Sequence, residues 1–446
     1  MSGTAGFLLT DKVMARFLIC TIPIAGHVSP GKAIAHTLVA QGHEVWWYTG
    51  ELFRELVQST GAKFIPIRSW MDYSLADQVP PELSKQREQL QPGPAQLKFD
   101  LTHFFVDVGV GQVEDILHSL KSFEADIILT DSFFVGGGWV SEKTSIPWAE
   151  FGISTLGFSS RDTAPFGLGW QPDRSPLGWL RNGMANWIFE QFVFRDITNH
   201  TNKTRATLGL PPSTKSFFNA ISPYLYLAGT VPSFEYPRRD LPAQVHFVGP
   251  LLASLYVEFV PPAWWADLET ARRVVLVTQG TIATDINDLV LPTLKALADK
   301  DLLVVATTGG VEPQDLTVPI PANARVEKHI PFADLLPHVD LMISNGGFNG
   351  VQMALAQGIP LVVAGTSEDK PEICARVEWS GVGINLKTKS PDVEQIKAAV
   401  NRVLTDDSYC ARAKAIALEM EQFNGAQRAV ELLEALVRTG QPVLRP

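Results

Sequence analysis

Two residues in the first third of the chain have the chemistry of a general base and its partner. His27 follows the apolar segment 16–22, and Asp131 ends the apolar run 126–131. An imidazole has a near-neutral pKa and can take up a proton, while a carboxylate on its other nitrogen fixes the tautomer. Taken singly, His27 could instead pack or cap, and Asp131 could cap the next helix. That the two side chains meet is a hypothesis.

A glycine-rich segment, residues 345–350, follows the apolar run 340–344. Glycines at a strand-to-helix turn expose backbone N–H groups at a helix N-terminus, which attracts phosphate. A tight turn without a ligand is the alternative. Gly280 and Thr281, after the apolar run 274–278, offer a second set of phosphate donors.

An acidic pair, Glu368 and Asp369, precedes Lys370 and follows the apolar run 360–364. Adjacent carboxylates at the end of a strand can accept hydrogen bonds from sugar hydroxyls. A solvated acidic turn is the alternative.

These residues follow the strands of two α/β series. Residues 16–67 predict strand, helix, strand, helix, strand, with Ser29 as N-cap and Pro30 as first residue of the first helix. Residues 68–96, with four prolines, predict a long loop. A second series begins near residue 274. Alternation of strands and helices predicts an α/β protein with two doubly wound parallel sheets and a ligand cleft at the strand ends.

The domain boundaries follow from this alternation. We expect an N-terminal domain over 1–240, a linker over 241–265 and a C-terminal domain over 266–425. We expect residues 426–446 to form a helix that packs back toward the N-terminal domain.

Composition excludes several classes of protein. The 446 residues are 46% hydrophobic and carry a net charge of −10, which argues against nucleic acid as the main partner. Three cysteines cannot form a disulfide framework, and no segment approaches the about 18 apolar residues of a membrane span. Asp11 and Lys12 interrupt the N-terminal apolar run, so we expect no signal peptide and a cytoplasmic location. No cluster of carboxylates or histidines indicates a metal site.

Together, these segments resemble the family 1 nucleotide-sugar glycosyltransferases, which include bacterial and fungal macrolide-type and natural-product enzymes. The resemblance covers nearly the whole chain, and residues 329–371 match the family's donor-binding motif in spacing from end to end. It implies the GT-B fold, in which two Rossmann-like domains face each other across a cleft. It also implies metal-independent, inverting transfer of a hexose, with glucose expected, from a UDP-sugar.

The resemblance assigns roles residue by residue. His27 matches the catalytic base and Asp131 its partner. His329 matches the residue that stacks on uracil, and the Ile330 backbone would bind the base. The expected donor site comprises Gly280, Thr281, His329, Ile330, Asn345, Gly346, Gly347, Asn349, Gly350, Asp369 and Lys370.

Several positions depart from the family pattern. Asn345 replaces a diphosphate-binding histidine and carries no charge, and Gly350 lacks the hydroxyl of the usual serine. Met353 replaces a glutamate that takes the ribose hydroxyls, and Lys370 replaces a glutamine on the sugar. We interpret these as features of a bacterial and fungal lineage. Lys370 could pair with the diphosphate or with Asp369, which would restore the charge missing at Asn345.

Aromatic residues of the first half predict a concave apolar pocket for the acceptor. Its expected members are Trp70, Phe104, Phe133, Phe134, Phe158 and Trp170. Any single one could be ordinary core, but together they favour a hydrophobic small molecule such as a polyketide, phenolic, terpenoid or lipid alcohol.

Two other functions fit a two-domain nucleotide-sugar site. One is a UDP-sugar epimerase, which needs no acceptor. The other is a binding protein that has lost turnover, a possibility raised by Asn345 and Met353. The presence of His27 and Asp131 favours the transferase. We expect the UDP-sugar and the acceptor as its partners, and a monomer or weak dimer.

Overall fold

Runs of valine, isoleucine and leucine form the strands of two parallel sheets. The computed structural model describes residues 14–446 except 92, 253–258, 281–284 and 317. The strands are β1 (Arg16–Cys20), β2 (Glu44–Thr49), β3 (Lys63–Pro66), β4 (Ile127–Asp131), β5 (Trp148–Phe151), β6 (Leu225–Ala228), β7 (Val245–Phe247), β8 (Val274–Thr278), β9 (Leu303–Thr307), β10 (Ala324–Glu327), β11 (Leu341–Ser344), β12 (Leu361–Val363) and β13 (Gly383–Asn385).

Helices connect these strands. They are α1 (Ala25–Ala40), α2 (Arg54–Ser59), α3 (Pro81–Glu88), α4 (Pro94–Asp100), α5 (Gly109–Leu120), α6 (Val135–Thr144), α7 (Pro176–Ile188), α8 (Arg195–Thr207), α9 (Asp267–Thr270), α10 (Val290–Leu297), α11 (Phe332–Leu335), α12 (Phe348–Ala356), α13 (Lys370–Trp379), α14 (Val393–Thr405), α15 (Asp407–Phe423) and α16 (Gly425–Thr439). Among the residues described, none of the helices is long and apolar enough to span a bilayer.

The predicted α/β class with two doubly wound parallel sheets is confirmed. The first sheet has the order β3-β2-β1-β4-β5-β6-β7 and the second the order β10-β9-β8-β11-β12-β13. Strand order therefore reverses between β1 and β4 in one sheet and between β8 and β11 in the other. Ligands of open α/β sheets bind at such switch points, beyond the carboxyl ends of the strands.

Each sheet is covered on both faces. In β1, Phe17 and Ile19 enter a core shared with α1 and α16, while Leu18 and Cys20 enter a core on the opposite face. The alternation follows from the two-residue period of a strand. Helix α16 comes after the second sheet in the chain, yet Leu433 lies in the core of the first sheet.

The predicted start of α1 at Ser29 and Pro30 is wrong. The helix begins at Ala25, after Ile24 in extended conformation, and the Ile24 carbonyl accepts the amides of His27 and Val28 at 2.9 and 3.0 Å. His27 therefore lies in the first turn of the helix, and Pro30 lies inside it. Because proline has no N–H, the carbonyl of Gly26, four residues earlier, receives no intrahelical bond from Pro30.

The loop predicted over 68–96 is only partly correct. The segment contains helix α3 and the start of α4. Both helices have a proline in their first turn, where its missing N–H costs nothing, so these prolines start helices.

Candidate active site

His27 and Asp131 meet at the switch point of the first sheet. Strands β1 and β4 pair in parallel, with Cys20 opposite Thr130, so the residues that follow them reach the same edge. His27 Nδ1 lies 3.0 Å from Asp131 Oδ1, and the two residues are 7% and 0% exposed. The structure thus brings the predicted base and its predicted partner into contact.

Backbone amides orient the Asp131 carboxylate. Oδ2 accepts the amide of Ile22 at 2.7 Å, and Oδ1 also accepts the amide of Phe133 at 2.9 Å. A carboxylate only accepts hydrogen bonds, so Nδ1 of His27 carries the hydrogen of this pair. Nε2 is then the nitrogen that can take up a proton, which is the arrangement a general base needs.

Phenylalanine rings border the imidazole. Phe133 meets His27 edge-on with ring centroids 5.7 Å apart, and Phe105 lies parallel to it at 6.1 Å. The side chain of the candidate base therefore faces an apolar space.

A small aromatic cavity of about 30 Å³ lies beside Phe133, two residues after Asp131. It is lined by Phe133, Phe158, Phe166, Phe217, Phe218 and Tyr226 together with polar groups from Ser132, Glu150, Ser154 and Thr155. Burial, reinforced by the charge of Asp131, raises the pKa of Glu150 well above its ordinary value, although the Ser222 amide donates to this carboxylate at 2.5 Å. Of the expected acceptor residues, Phe133 and Phe158 lie in this cavity.

The other expected acceptor residues lie elsewhere. Trp70 donates its indole N–H to the hydroxyl of Tyr48. Phe134 is 1% exposed in the core, edge-on to Tyr48. Phe104 packs against Tyr73, and the ring of Trp170, 43% exposed, lies on the loop before α7.

Sequence analysis missed two residues of the cavity, Phe217 and Phe218. Their rings contact Phe133 at centroid distances of 5.7 and 5.8 Å. They precede β6 in a short segment without helical or strand periodicity. A pair of large apolar residues in such a segment is the signal that could have identified them.

The glycine-rich turn after β11 leads directly into α12. Gly346 has φ +82°, and a Cβ there would lie 2.5 Å from Cys374 Sγ. Gly347 is the N-cap, no side chain caps the helix, and Asn349 and Gly350 lie in the first turn. The arrangement presents backbone N–H groups toward the strand ends, as a phosphate site requires.

Asn345 stabilises this turn from within. Its side-chain NH2 group donates to the backbone carbonyl of Gln279, and its Oδ1 accepts the backbone N–H of Gly347 at 3.3 Å. Gly280, with φ +98°, lies against the same side chain, and a Cβ there would lie 2.8 Å from Asn345 Nδ2. Thr281 is outside the described residues. Asn345 therefore links the two segments predicted to bind phosphate.

A hydrogen bond joins the donor-side helix α12 to α1. The side-chain amide of Asn349 donates to the backbone carbonyl of Gly26 at 3.3 Å. This is the carbonyl that Pro30 leaves without an intrahelical partner. The sequence-predicted phosphate ligand thus contacts the residue next to His27.

The two residues expected to bind uracil, His329 and Ile330, differ in exposure. His329, two residues after β10, is exposed, while Ile330 is 6% exposed in the core of the second domain. An exposed ring can stack on a planar ligand. Met353 packs partly buried against that same core.

Lys370 is 7% exposed and forms its ion pair with Glu368, so the pairing with Asp369 suggested from the sequence is not what the structure has. Glu368 adopts a left-handed φ of +51° and lies 3.9 Å from Arg87 of α3. Burial opposes ionisation of Glu368, but the charge of Lys370 overcomes it and lowers its pKa. Burial raises the pKa of Asp369, an effect that the hydroxyl of Ser154 opposes.

Among the described residues, no group of three or more His, Cys, Asp or Glu could hold a metal ion.

The chain matches one protein-family model and is similar over most of its length to curated proteins. The family model of the erythromycin biosynthesis protein CIII-like C-terminal domain matches residues 292–436. The chain is 45% identical over 425 residues to 4'-demethylrebeccamycin synthase of Lentzea aerocolonigenes, covering 95% of this chain and 100% of that protein. It is 32% identical over 433 residues to UDP-glucosyltransferase A1 of Starmerella bombicola, covering 94% and 92%.

Solved structures have the same fold. The glycosyltransferase of kitacinnamycin aligns with a TM-score of 0.73 at 20% identity, over 95% of this chain and 98% of that one. The calicheamicin glycosyltransferase CalG4 aligns with a TM-score of 0.72 at 21% identity, over 96% and 100%. At nearly full coverage and 45% identity to a curated relative, the chain belongs to the UDP-glycosyltransferase family of natural-product type, and its fold is GT-B.

Proposed function

We propose that the enzyme moves a hexose, with glucose as the expected sugar, from a UDP-sugar to a hydroxyl of a hydrophobic small molecule, with inversion at the sugar carbon. The observation that carries the proposal is the buried His27–Asp131 pair at 3.0 Å, beside an aromatic cavity. UDP-glucosyltransferases among the relatives support UDP-glucose as donor.

The proposed chemistry uses His27 as the base. Its Nε2 takes the proton of the acceptor hydroxyl while the oxygen attacks C1 of the sugar. Asp131 keeps Nδ1 protonated and balances the charge of the imidazolium. The bond from C1 to the diphosphate oxygen breaks, UDP leaves with the electron pair, and His27 afterwards releases its proton to solvent.

The proposed donor site extends along the strand ends of the second sheet. Backbone N–H groups at the start of α12 and the helix dipole would stabilise the charge that develops on the leaving diphosphate. The family resemblance assigns uracil to His329 and Ile330, the phosphates to Asn349 and the sugar hydroxyls to Asp369. This scheme needs no metal ion.

The acceptor is proposed to bind against the aromatic rings beside Phe133, which must move apart to admit it because the space they enclose is about 30 Å³. Rings from Phe158, Phe166 and Phe218 offer apolar contact, while Glu150 is the buried polar group among them. Such a lining suits a polyketide, phenolic, terpenoid or lipid alcohol, whose apolar body leaves water and whose hydroxyl reaches the base.

Transfer assays test the proposal. Purified enzyme is incubated with UDP-glucose, a chelator and a panel of hydrophobic alcohols and phenols, and both UDP release and product mass are measured. We expect a product heavier by one hexose. His27→Ala should lower kcat by orders of magnitude with UDP affinity unchanged, because the base does not contact the nucleotide.

His36→Ala is the matched control, because His36 is an exposed histidine of the same helix, α1. It should retain wild-type kcat. Near-normal turnover in His27→Ala would refute the assignment of the base. UDP release without an adduct would favour the epimerase or a hydrolase, and UDP binding without turnover across UDP- and TDP-sugars would favour the binding protein.

A further inference from the structure

A buried ion-pair network joins the first domain to α13. Arg376 of α13 is 1% exposed and donates to Glu235 at 2.5 and 2.8 Å and to Glu372 at 3.0 Å. Glu235 follows β6, and its other oxygen accepts the amide of Leu156 at 2.9 Å. Buried charges are tolerated when they are paired and hydrogen-bonded, as these are. The network therefore holds α13 against the first domain in a defined position.

The remaining oxygen of Glu372 holds a loop of the first domain. Oε1 accepts the backbone N–H of Gly167 at 2.9 Å and that of Gly169 at 2.8 Å. These residues belong to the segment 166–170, here named the acceptor loop, which begins at Phe166 of the aromatic cavity and ends at Trp170. Hydrogen bonds to an ionised carboxylate are stronger than neutral ones, so this contact is a firm one.

The acceptor loop packs directly on the first turn of α13. Gly169 has φ +61°, and a Cβ there would lie 2.8 Å from the carbonyl oxygen of Pro371. Only glycine combines this conformation with so close an approach of two backbones. Asp369 and Lys370 come immediately before Pro371. One helical turn therefore carries the proposed sugar ligands and also supports the acceptor loop.

We propose that Glu372 is a positioning residue that seats the acceptor loop against the sugar-binding turn at the start of α13. The identity of the two sides rests on the proposed function, whereas the contact itself does not. One oxygen of Glu372 takes both loop amides while Arg376 holds the other, so the carboxylate has one orientation. Acceptor binding in the first domain thereby depends on a side chain of the second domain.

Substitution of Glu372 tests this role. Glu372→Ala leaves the amides of Gly167 and Gly169 without their acceptor and should raise the acceptor KM about tenfold or more, with kcat and the UDP-glucose KM within about threefold of wild type. Glu372→Gln keeps an oxygen that accepts both amides but places its NH2 group beside the Arg376 N–H that the second carboxylate oxygen accepts, so it should recover only part of the loss, to an acceptor KM about threefold above wild type.

Gln171→Ala is the matched control. Gln171 follows the acceptor loop and donates to Glu378 of α13 at 2.9 Å, but this contact is exposed. Its loss should change the acceptor KM less than about twofold. An equal rise of both KM values in Glu372→Ala, or a lower unfolding temperature with an unchanged acceptor KM, would overturn the proposal.

Amide hydrogen exchange separates this inference from the proposed function. Exchange of the Gly167 and Gly169 amides should accelerate in Glu372→Ala and stay as in wild type in Gln171→Ala. If wild type binds UDP but transfers no sugar, the proposed function fails, while faster exchange still supports the seated loop. Unchanged exchange in Glu372→Ala would overturn the inference whatever the activity.

Discussion

The two domains share the strand order around their switch points but differ in what connects their strands. In the second domain, residues 345–360 separate β11 from β12 and residues 364–382 separate β12 from β13, and the turns into α12 and α13 take only residues 345–347 and 364–369. In the first, residues 67–126 separate β3 from β4 and residues 152–224 separate β5 from β6. Short turns present backbone groups, which suit a diphosphate common to many donors. Long insertions present varied side chains, which suit an acceptor recognised by its shape.

The largest expected effect comes from the first domain. Asp131→Asn should lower kcat by about 10³–10⁴-fold, because an amide no longer holds His27 in the tautomer that leaves Nε2 free. UDP affinity, measured by calorimetry, should not change, since the nucleotide is proposed to bind the other domain. His27→Ala combined with Asp131→Asn should be no slower than the slower single variant. Fully additive losses would contradict a shared role.

The next effect tests the backbone turn of the second domain. Gly346→Ala should raise the UDP-glucose KM about tenfold, because alanine is strained at φ +82° and its Cβ would meet Cys374. The acceptor KM should stay constant. Gly310→Ala is the control, because a Cβ at Gly310 has open space around it. A rise in the acceptor KM alone would contradict the proposal that the second domain binds the donor and the first domain binds the acceptor.

A smaller effect is expected from a charged side chain of the second domain that contributes to donor binding. Lys370→Gln should raise the UDP-glucose KM about fivefold if Lys370 pairs with the diphosphate, as suggested from the sequence, since that cation is lost. Lys387→Gln removes a cation that is 68% exposed and should leave this KM unchanged. An unchanged KM in Lys370→Gln would mean that Lys370 serves only its ion pair with Glu368.

The smallest kinetic effect distinguishes a cavity ring from a core ring in the first domain. Phe218→Leu should raise the acceptor KM about threefold, because roughly 0.65 kcal/mol of apolar contact is lost. Phe134→Leu should lower the unfolding temperature and leave the acceptor KM unchanged, since Phe134 is 1% exposed in the core. The same shift of the acceptor KM in both variants would contradict the claim that Phe218 contacts the acceptor and Phe134 does not.

The strands that carry the site follow from local sequence. Those before His27, Asp131 and the glycine-rich turn end within two residues of their predicted positions. Buried parallel strands are continuous apolar runs, so a short window suffices to locate them. Parallel pairing then requires the residues after adjacent strands to share one edge, which is why His27 and Asp131 could be proposed as neighbours.

Element boundaries within the first domain were harder to predict. Pro30 matched the preferred first position of a helix, yet α1 begins at Ala25. Two further prolines fall in the segment predicted as a loop, although they start α3 and α4. Local preference is weak, and burial of a helix face can extend or start a helix against it.

Short patterns in the sequence were enough to predict the two parallel sheets, the polar residues at the strand ends and the glycine-rich turn, because each of these lies within a few consecutive residues. Three contacts became apparent only in the folded protein: the ion pair of Lys370 with Glu368, the position of Phe217 and Phe218 in the cavity wall, and the hydrogen bonds of Glu372 to the acceptor loop. The Gly167–Glu372 bond joins residues 205 positions apart in the chain. This bond depends on how the two domains pack together, and no local sequence period encodes that packing.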